Sequence, residues 1–167
     1  REPISARLIA DLFHTAGAHR IMSVDLHAAQ IQGFFDGPVD HLWALPVLSD
    51  YLAKKYDTSE MTVVSPDAGR VRVADMWTDR LNCALAIIHK RRDPNVVNTV
   101  AIHEVVGEVE GRVCLVVDDM IDTAGTICQA AEALKARGAK AVIAAATHPV
   151  LSGPAIDRLK ATEFEEV

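Results

Sequence analysis

Aromatic side chains make up only 5% of this 167-residue chain, so its core must be built from aliphatic packing. There are three cysteines, Cys83, Cys114 and Cys128, each isolated among apolar residues. That pattern excludes a disulfide framework and a zinc-type ligand spacing, and it reads as reduced thiols in or near the core. No apolar run is long enough to span a bilayer and no signal peptide is visible, so the expectation is a cytoplasmic protein without a membrane partner. Basic residues form no run beyond Lys90-Arg91-Arg92, and the net charge is −6. Bulk electrostatics therefore gives no reason to expect a nucleic-acid partner. Neither a Walker A sequence nor a G-x-G-x-x-G fingerprint is present, so a bound nucleotide would be held by other means.

Half of the residues are hydrophobic, enough for a full core, and the length suits one domain or one domain plus part of another. Periodicity and breakers predict helices over residues 4–16, 47–56, about 72–82 and 127–136, with stops at Gly17 and Gly138. Strands are predicted at 20–26, 61–65, 84–89, 113–118 and 141–147. Residues 90–98 read as a loop and 100–109, with Gly107, as a small hairpin. Strands alternating with helices, most of them continuous apolar runs, indicate an α/β fold: a parallel sheet flanked by helices. Ligands bind such sheets at the carboxyl ends of the strands. Polar residues stand at those ends: Asp25 and His27, Ser65 and Asp67, His89 and Lys90, Asp118 and Asp119, Thr147 and His148.

The densest chemistry lies in Val117-Asp118-Asp119-Met120-Ile121-Asp122-Thr123-Ala124-Gly125-Thr126. A buried strand is expected to open into a short acidic loop, and then into a helix whose N-terminus is lined by small residues. Such N-termini present unpaired backbone N–H groups that attract phosphate. Carboxylates suit sugar hydroxyls and Mg²⁺. Asp and Thr also serve as ordinary caps, but Asp118, Asp119 and Asp122 crowd together and must repel unless a cation or donors compensate. A phosphate cradle beside hydroxyl and metal binders describes a sugar-phosphate site.

Three further segments carry weaker signals. Ser65-Pro66-Asp67-Ala68-Gly69-Arg70 can form an anion nest with a fixed cation, and is equally a plain turn. Asp25-Leu26-His27 offers an imidazole that could bind a divalent metal with Asp67. A histidine satisfied by local hydrogen bonds is the simpler reading from the residues alone. Lys90-Arg91-Arg92 is either a solvated basic turn or a mobile loop that brings cations onto a transferring phosphoryl group.

With these segments in order, the chain resembles the phosphoribosyl pyrophosphate synthetase (ribose-phosphate diphosphokinase) family. The matching pieces run from Val24 to Asp36, Ser65 to Gly69, Lys90 to Arg92, Val117 to Thr126 and Thr147 to Ala155. The resemblance implies a type I phosphoribosyltransferase-like fold. It implies Mg²⁺-dependent transfer of the diphosphoryl group of ATP to the 1-hydroxyl of ribose 5-phosphate, giving phosphoribosyl pyrophosphate and AMP. By the same resemblance, Thr123, Ala124, Gly125 and Thr126 hold the 5-phosphate. Asp118 and Asp119 bind ribose hydroxyls directly or through Mg²⁺, and Asp122 lies near the reacting sugar. Asp67, Ala68, Gly69 and Arg70 face the pyrophosphate, His27 with Asp67 holds the Mg²⁺ of ATP, and Lys90 and Arg92 are the catalytic cations. Ala29, Gln32 and Asp40 resemble part of a regulatory phosphate or ADP site.

Many family members have a second Gly where this chain has Arg70. The resemblance also implies two similar domains, with residues 1–40 the end of a truncated first and 41–167 a second lacking its end. Adenine-binding residues are then expected upstream of Arg1, and dimers building a hexamer are expected of the whole protein. The chain by itself is accordingly expected to bind ribose 5-phosphate weakly and to turn over poorly or not at all. Two alternatives stand beside this reading: a phosphoribosyltransferase, which has no reason to carry Asp25-Leu26-His27 or the Lys90 loop, and a non-catalytic regulatory subunit, in which that loop would be damaged.

Overall fold

A computed structural model describes residues 5–91 and 102–167; for residues 90, 91, 102 and 103 it describes the backbone alone. The chain divides into two compact units, residues 1–44 and 45–167.

In the first unit, helix α1 (Ser5–Thr15) precedes two parallel strands, β1 (Ile21–Val24) and β2 (Val39–Leu42). A 3-10 turn over Ala29–Phe34 connects the strands. β2 falls where the sequence predicts no helix or strand. Its four residues, Val39-Asp40-His41-Leu42, do not alternate apolar with polar, so they leave no period-2 signal after Gly37-Pro38.

The second unit is a sheet with helices on both faces. In chain order it contains α2 (Leu45–Lys55), β3 (Met61–Ser65), α3 (Val71–Leu81), β4 (Ala84–Arg91), β5 (Ile102–Val106), β6 (Val113–Ile121), α4 (Gly125–Ala136), β7 (Ala141–Pro149) and α5 (Ala155–Ala161). Among the described residues the sheet has five strands in the order β5-β4-β3-β6-β7. All neighbours are parallel except β4 and β5. Residues 102–106 are therefore an antiparallel edge strand on β4, not one arm of a self-contained hairpin. Residues 100 and 101 of the predicted hairpin, and 92–98 of the predicted loop, lie outside the described residues.

The strands sort their side chains by period two onto two cores. Val64, Cys114, Val116, Val142 and Ala144 pack with Ile127, Ala131 and Leu134 of α4 and Ala155 of α5. Met61, Val63, Leu115, Val117 and Ile143 pack with Leu52 of α2 and Ala74, Trp77 and Leu81 of α3. Burial on both faces is why these strands read as unbroken apolar runs. Cys114 and Cys128 are buried and Cys83 partly so, and burial pushes the Cys114 thiol up to about 11. Asn82 ends α3 in the left-handed conformation, its N–H donating to the Thr78 carbonyl. Gly138 (φ +84°) ends α4, with the Ala139 N–H returning to the Leu134 carbonyl. No helix among the described residues is long and apolar enough to cross a membrane.

Candidate functional site

β3 and β6 are adjacent central strands, and their onward connections diverge. β3 passes through α3 to β4 on one side, and β6 passes through α4 to β7 on the other. The carboxyl ends of β3 and β6 thus form a topological switch point, where an open α/β sheet offers a crevice.

From the β3 side comes the turn Pro66–Arg70. Ser65 Oγ, buried at the strand end, donates to the Asp67 carbonyl at 2.7 Å. The Asp67 carboxylate accepts from the N–H groups of Gly69 (2.8 Å) and Arg70 (3.1 Å), capping the 3-10 turn that leads into α3. Two amides of the expected anion nest are therefore engaged by the chain's own carboxylate. From the β6 side come Asp118 and Asp119. The sequence places them at the strand end and in a loop, but β6 continues through both, pairing Asp118 with Ala146 and Ile121 with Pro149 of β7. Charge ends the apolar run without ending the backbone pairing, which periodicity cannot reveal.

Arg70 joins the two sides. Its Nε lies 3.3 Å from Asp118 Oδ1 and its Nη2 2.6 Å from Asp119 Oδ1. The three side chains are only 13%, 22% and 11% exposed. Asp118 also accepts from the Asp119 N–H at 2.8 Å. Burial, followed by the Asp119 side chain, outweighs Arg70 and raises the Asp118 carboxyl to about 6.

Beyond β6, Asp122, Thr123 and Thr126 are exposed, Gly125 is part-buried and Ala124 is buried. Ala124 adopts a left-handed conformation (φ 60°) and begins α4 without a side-chain cap. Its N-cap residue thus supplies no side-chain acceptor for the first N–H groups. The segment after β7 braces this loop: the Leu151 and Ser152 N–H groups donate to the Ile121 and Asp122 carbonyls. Arg158 Nη1 of α5 donates to the Thr123 carbonyl at 3.0 Å, and a Cβ built on Gly125 would meet that nitrogen at 3.4 Å. Sequence reading missed Arg158 and all of α5. The helix has seven residues, too few for a clear period, and its role is visible only through the contact with Thr123.

Lys90 stands at the end of β4, in backbone register with His103. Arg92 lies outside the described residues. His27 is an exposed residue of the first unit, whereas Asp67 belongs to the second. Among the described residues no three His, Cys, Asp or Glu side chains gather as a metal cage. The oxygen-only pair Asp118 and Asp119 nonetheless fits a hard cation that completes its shell with water or substrate. In the first unit, Asp25 accepts from the Ala44 N–H at 3.1 Å and the Leu26 N–H donates to His41 Nε2 at 3.0 Å. His41, which carried no sequence signal, thereby fixes the turn after β1. Ala29 and Gln32 share the 3-10 turn, Gln32 Nε2 lying 3.1 Å from His41 Nδ1. Asp40 on β2 takes a two-pronged contact from Arg20 (2.6 and 2.9 Å), which holds its carboxyl below the usual range.

The Phosphoribosyl transferase domain family matches residues 46–165. The ribose-phosphate pyrophosphokinase of Streptomyces avermitilis is 70% identical over 166 residues, covering 99% of this chain and 51% of that protein. The protein of the same name from Corynebacterium efficiens is 58% identical over 168 residues, covering 100% and 52%. The crystal structure of phosphoribosylpyrophosphate synthetase from Mycobacterium smegmatis is similar with a TM-score of 0.91 at 56% identity, covering 100% of this chain and 53% of that one. An orotate phosphoribosyltransferase from Aeropyrum pernix shares the fold, with a TM-score of 0.53 at 19% identity over 74% and 66% of the two chains. The chain spans about half the length of the curated relatives it matches.

Proposed function

Because the chain belongs to the phosphoribosyl transferase domain family, we propose that its switch-point crevice binds ribose 5-phosphate, and that the protein carrying it is a ribose-phosphate diphosphokinase. The observation that carries this reading is the meeting of the Asp67–Arg70 turn with Asp118 and Asp119 through a shared guanidinium. The identity to ribose-phosphate pyrophosphokinases supports the same activity.

The uncapped start of α4, Thr123 to Thr126, receives the 5-phosphate on backbone N–H groups and threonine hydroxyls. Asp118 and Asp119 accept from ribose hydroxyls and orient the sugar, with Asp122 beside it. The turn Asp67–Arg70 faces the diphosphate. The ribose O1 forms a bond to the β-phosphorus of ATP, and the bond from that phosphorus to the α,β-bridging oxygen breaks. AMP departs and the hydroxyl proton is lost to solvent or base. Lys90 and Arg92 place positive charge on the group in transfer. Mg²⁺, when bound, would neutralise charge on the phosphate oxygens; Asp118 and Asp119 would offer oxygen donors on the sugar side, and the family resemblance separately implies His27 with Asp67 for the Mg²⁺ of ATP.

A cytoplasmic setting, ATP as second substrate, self-association of the whole protein as dimers building a hexamer, and a regulatory anion site involving Ala29, Gln32 and Asp40 belong to the same reading. The chain by itself is expected to bind the sugar phosphate and to turn over poorly. Calorimetric titration of the chain with ribose 5-phosphate tests the site. Binding should weaken at least tenfold in both Asp119→Asn and Thr126→Val. Equal affinity in all three proteins would place the sugar elsewhere.

A further inference from the structure

The turn that faces the diphosphate and the carboxylates assigned to the sugar are each satisfied by charges of the chain itself. Arg70 lays its Nε and Nη2 against Asp118 and Asp119, at 3.3 and 2.6 Å. Three residues earlier, the Asp67 carboxylate fills the Gly69 and Arg70 amides, where an anion would sit. One short turn thus places a cation in the cation-seeking half of the crevice and an anion in the anion-seeking half. A guanidinium is a planar fork whose two nitrogens engage two oxygens together. An oxygen that faces it at 2.6 Å has no room on that side for a hydrated divalent ion. The carboxylate pair can therefore carry Arg70 or a divalent cation, but not both in the same place.

We propose that Arg70 is a positioning residue that acts as an internal counter-cation, competing directly with divalent metal for Asp118 and Asp119. An anion arriving at the 67–70 turn offers the guanidinium an alternative partner. Arg70 then leaves the carboxylates as that anion binds, and the cation-binding and anion-binding halves become coupled. The coupling is reciprocal by linkage: whatever draws Arg70 away raises the cation affinity of the pair. This inference deepens the sugar-phosphate reading of the same crevice and rests on it for the identity of the ligand, though not for the competition itself.

The test is Mn²⁺ binding to the full chain, followed by electron paramagnetic resonance of the free ion, in wild type, Arg70→Gln, Arg70→Lys and Arg70→Gly. Thermal unfolding of each variant shows whether it is folded. Loss of charge alone would tighten Mn²⁺ binding through the field, so Arg70→Lys is decisive: it keeps the charge and lacks the fork. The expected result is at least fivefold tighter binding in Arg70→Gln and Arg70→Gly and at least twofold tighter binding in Arg70→Lys. Each gain should disappear when Asp119→Asn is added. Arg70→Lys matching wild type, or gains that survive Asp119→Asn, would overturn the competition. Ribose 5-phosphate titrated into wild type separates the two readings: failure to bind removes the sugar while leaving the metal result intact.

Discussion

Asp118 sits in an environment that moves it well away from its chemistry in water. Its carboxyl is raised to about 6, chiefly by burial, so the folded state holds a proton there more tightly than the unfolded chain does. Stability from this group is present at pH values below the unfolded carboxylate range. It is lost as pH rises through the interval up to about 6. Asp118→Asn, which is neutral at every pH, should therefore be more stable than wild type at pH 7–8, and the gap should close towards pH 4. Urea unfolding at several pH values measures this, and a constant gap would contradict it. A ligand that prefers the ionised carboxylate must also weaken below about pH 6. Arg158 acts through the loop: removing its bond to the Thr123 carbonyl should weaken ribose 5-phosphate binding about threefold to tenfold, the equivalent of roughly 1 kcal/mol. Calorimetry reads that change, and an unaltered affinity would show that α5 does not hold the loop.

Between residue and fold stand the elements, and here the sequence was legible to different depths. β3 and the apolar part of β6 are buried on both faces, and β4 and β7 are buried or half-buried over their apolar stretches, so aliphatic runs announce them. α3 and α4 carry clear stops at Asn82 and Gly138. β2 was hidden because Val39-Asp40-His41-Leu42 does not alternate apolar with polar, and α5 because seven residues are too few to display a period. The extension of β6 through Asp118 and Asp119 was hidden because hydropathy reports side chains, whereas the strand is continued by backbone pairing to β7. The acidic segment, the 67–70 turn and the α4 start were legible as chemistry. Their junction through Arg70 is a tertiary contact that no local pattern encodes. β5 depends on Gly107, whose φ is +119° and whose added Cβ would lie 2.7 Å from the Leu85 carbonyl oxygen. Gly107→Ala should destabilise the unit by more than about 1 kcal/mol and speed amide exchange in β4 and β5 first. Uniform exchange across the sheet would argue against a local cause. Leu134→Ala, at a fully buried position of α4, should cost about 2–5 kcal/mol in chemical unfolding.

At the scale of the whole molecule, the second unit carries a sheet closed on both faces and a crevice at its switch point. Its final residues are tied back into it. Glu166 accepts from Tyr56 Oη at 2.9 Å and pairs with Lys55 at 3.0 Å, while its carbonyl accepts from the Ala144 N–H of β7. The lowered Glu166 carboxyl keeps its side of this tether ionised at neutral pH, and the tether weakens as acid protonates it. A scaffold of this kind can present the loops after β3 and β6 as fixed surfaces, which diphosphoryl transfer requires because catalysis there is positioning and charge. The most direct measurement follows the fate of ATP labelled at its β-phosphorus, with ribose 5-phosphate and Mg²⁺, using the protein that carries this chain. The expected result is AMP and labelled phosphoribosyl pyrophosphate in equal amounts, both lost in Lys90→Ala. Label remaining in ADP, or no AMP while ribose 5-phosphate still binds, would contradict diphosphoryl transfer and leave the crevice a sugar-phosphate receptor without this chemistry.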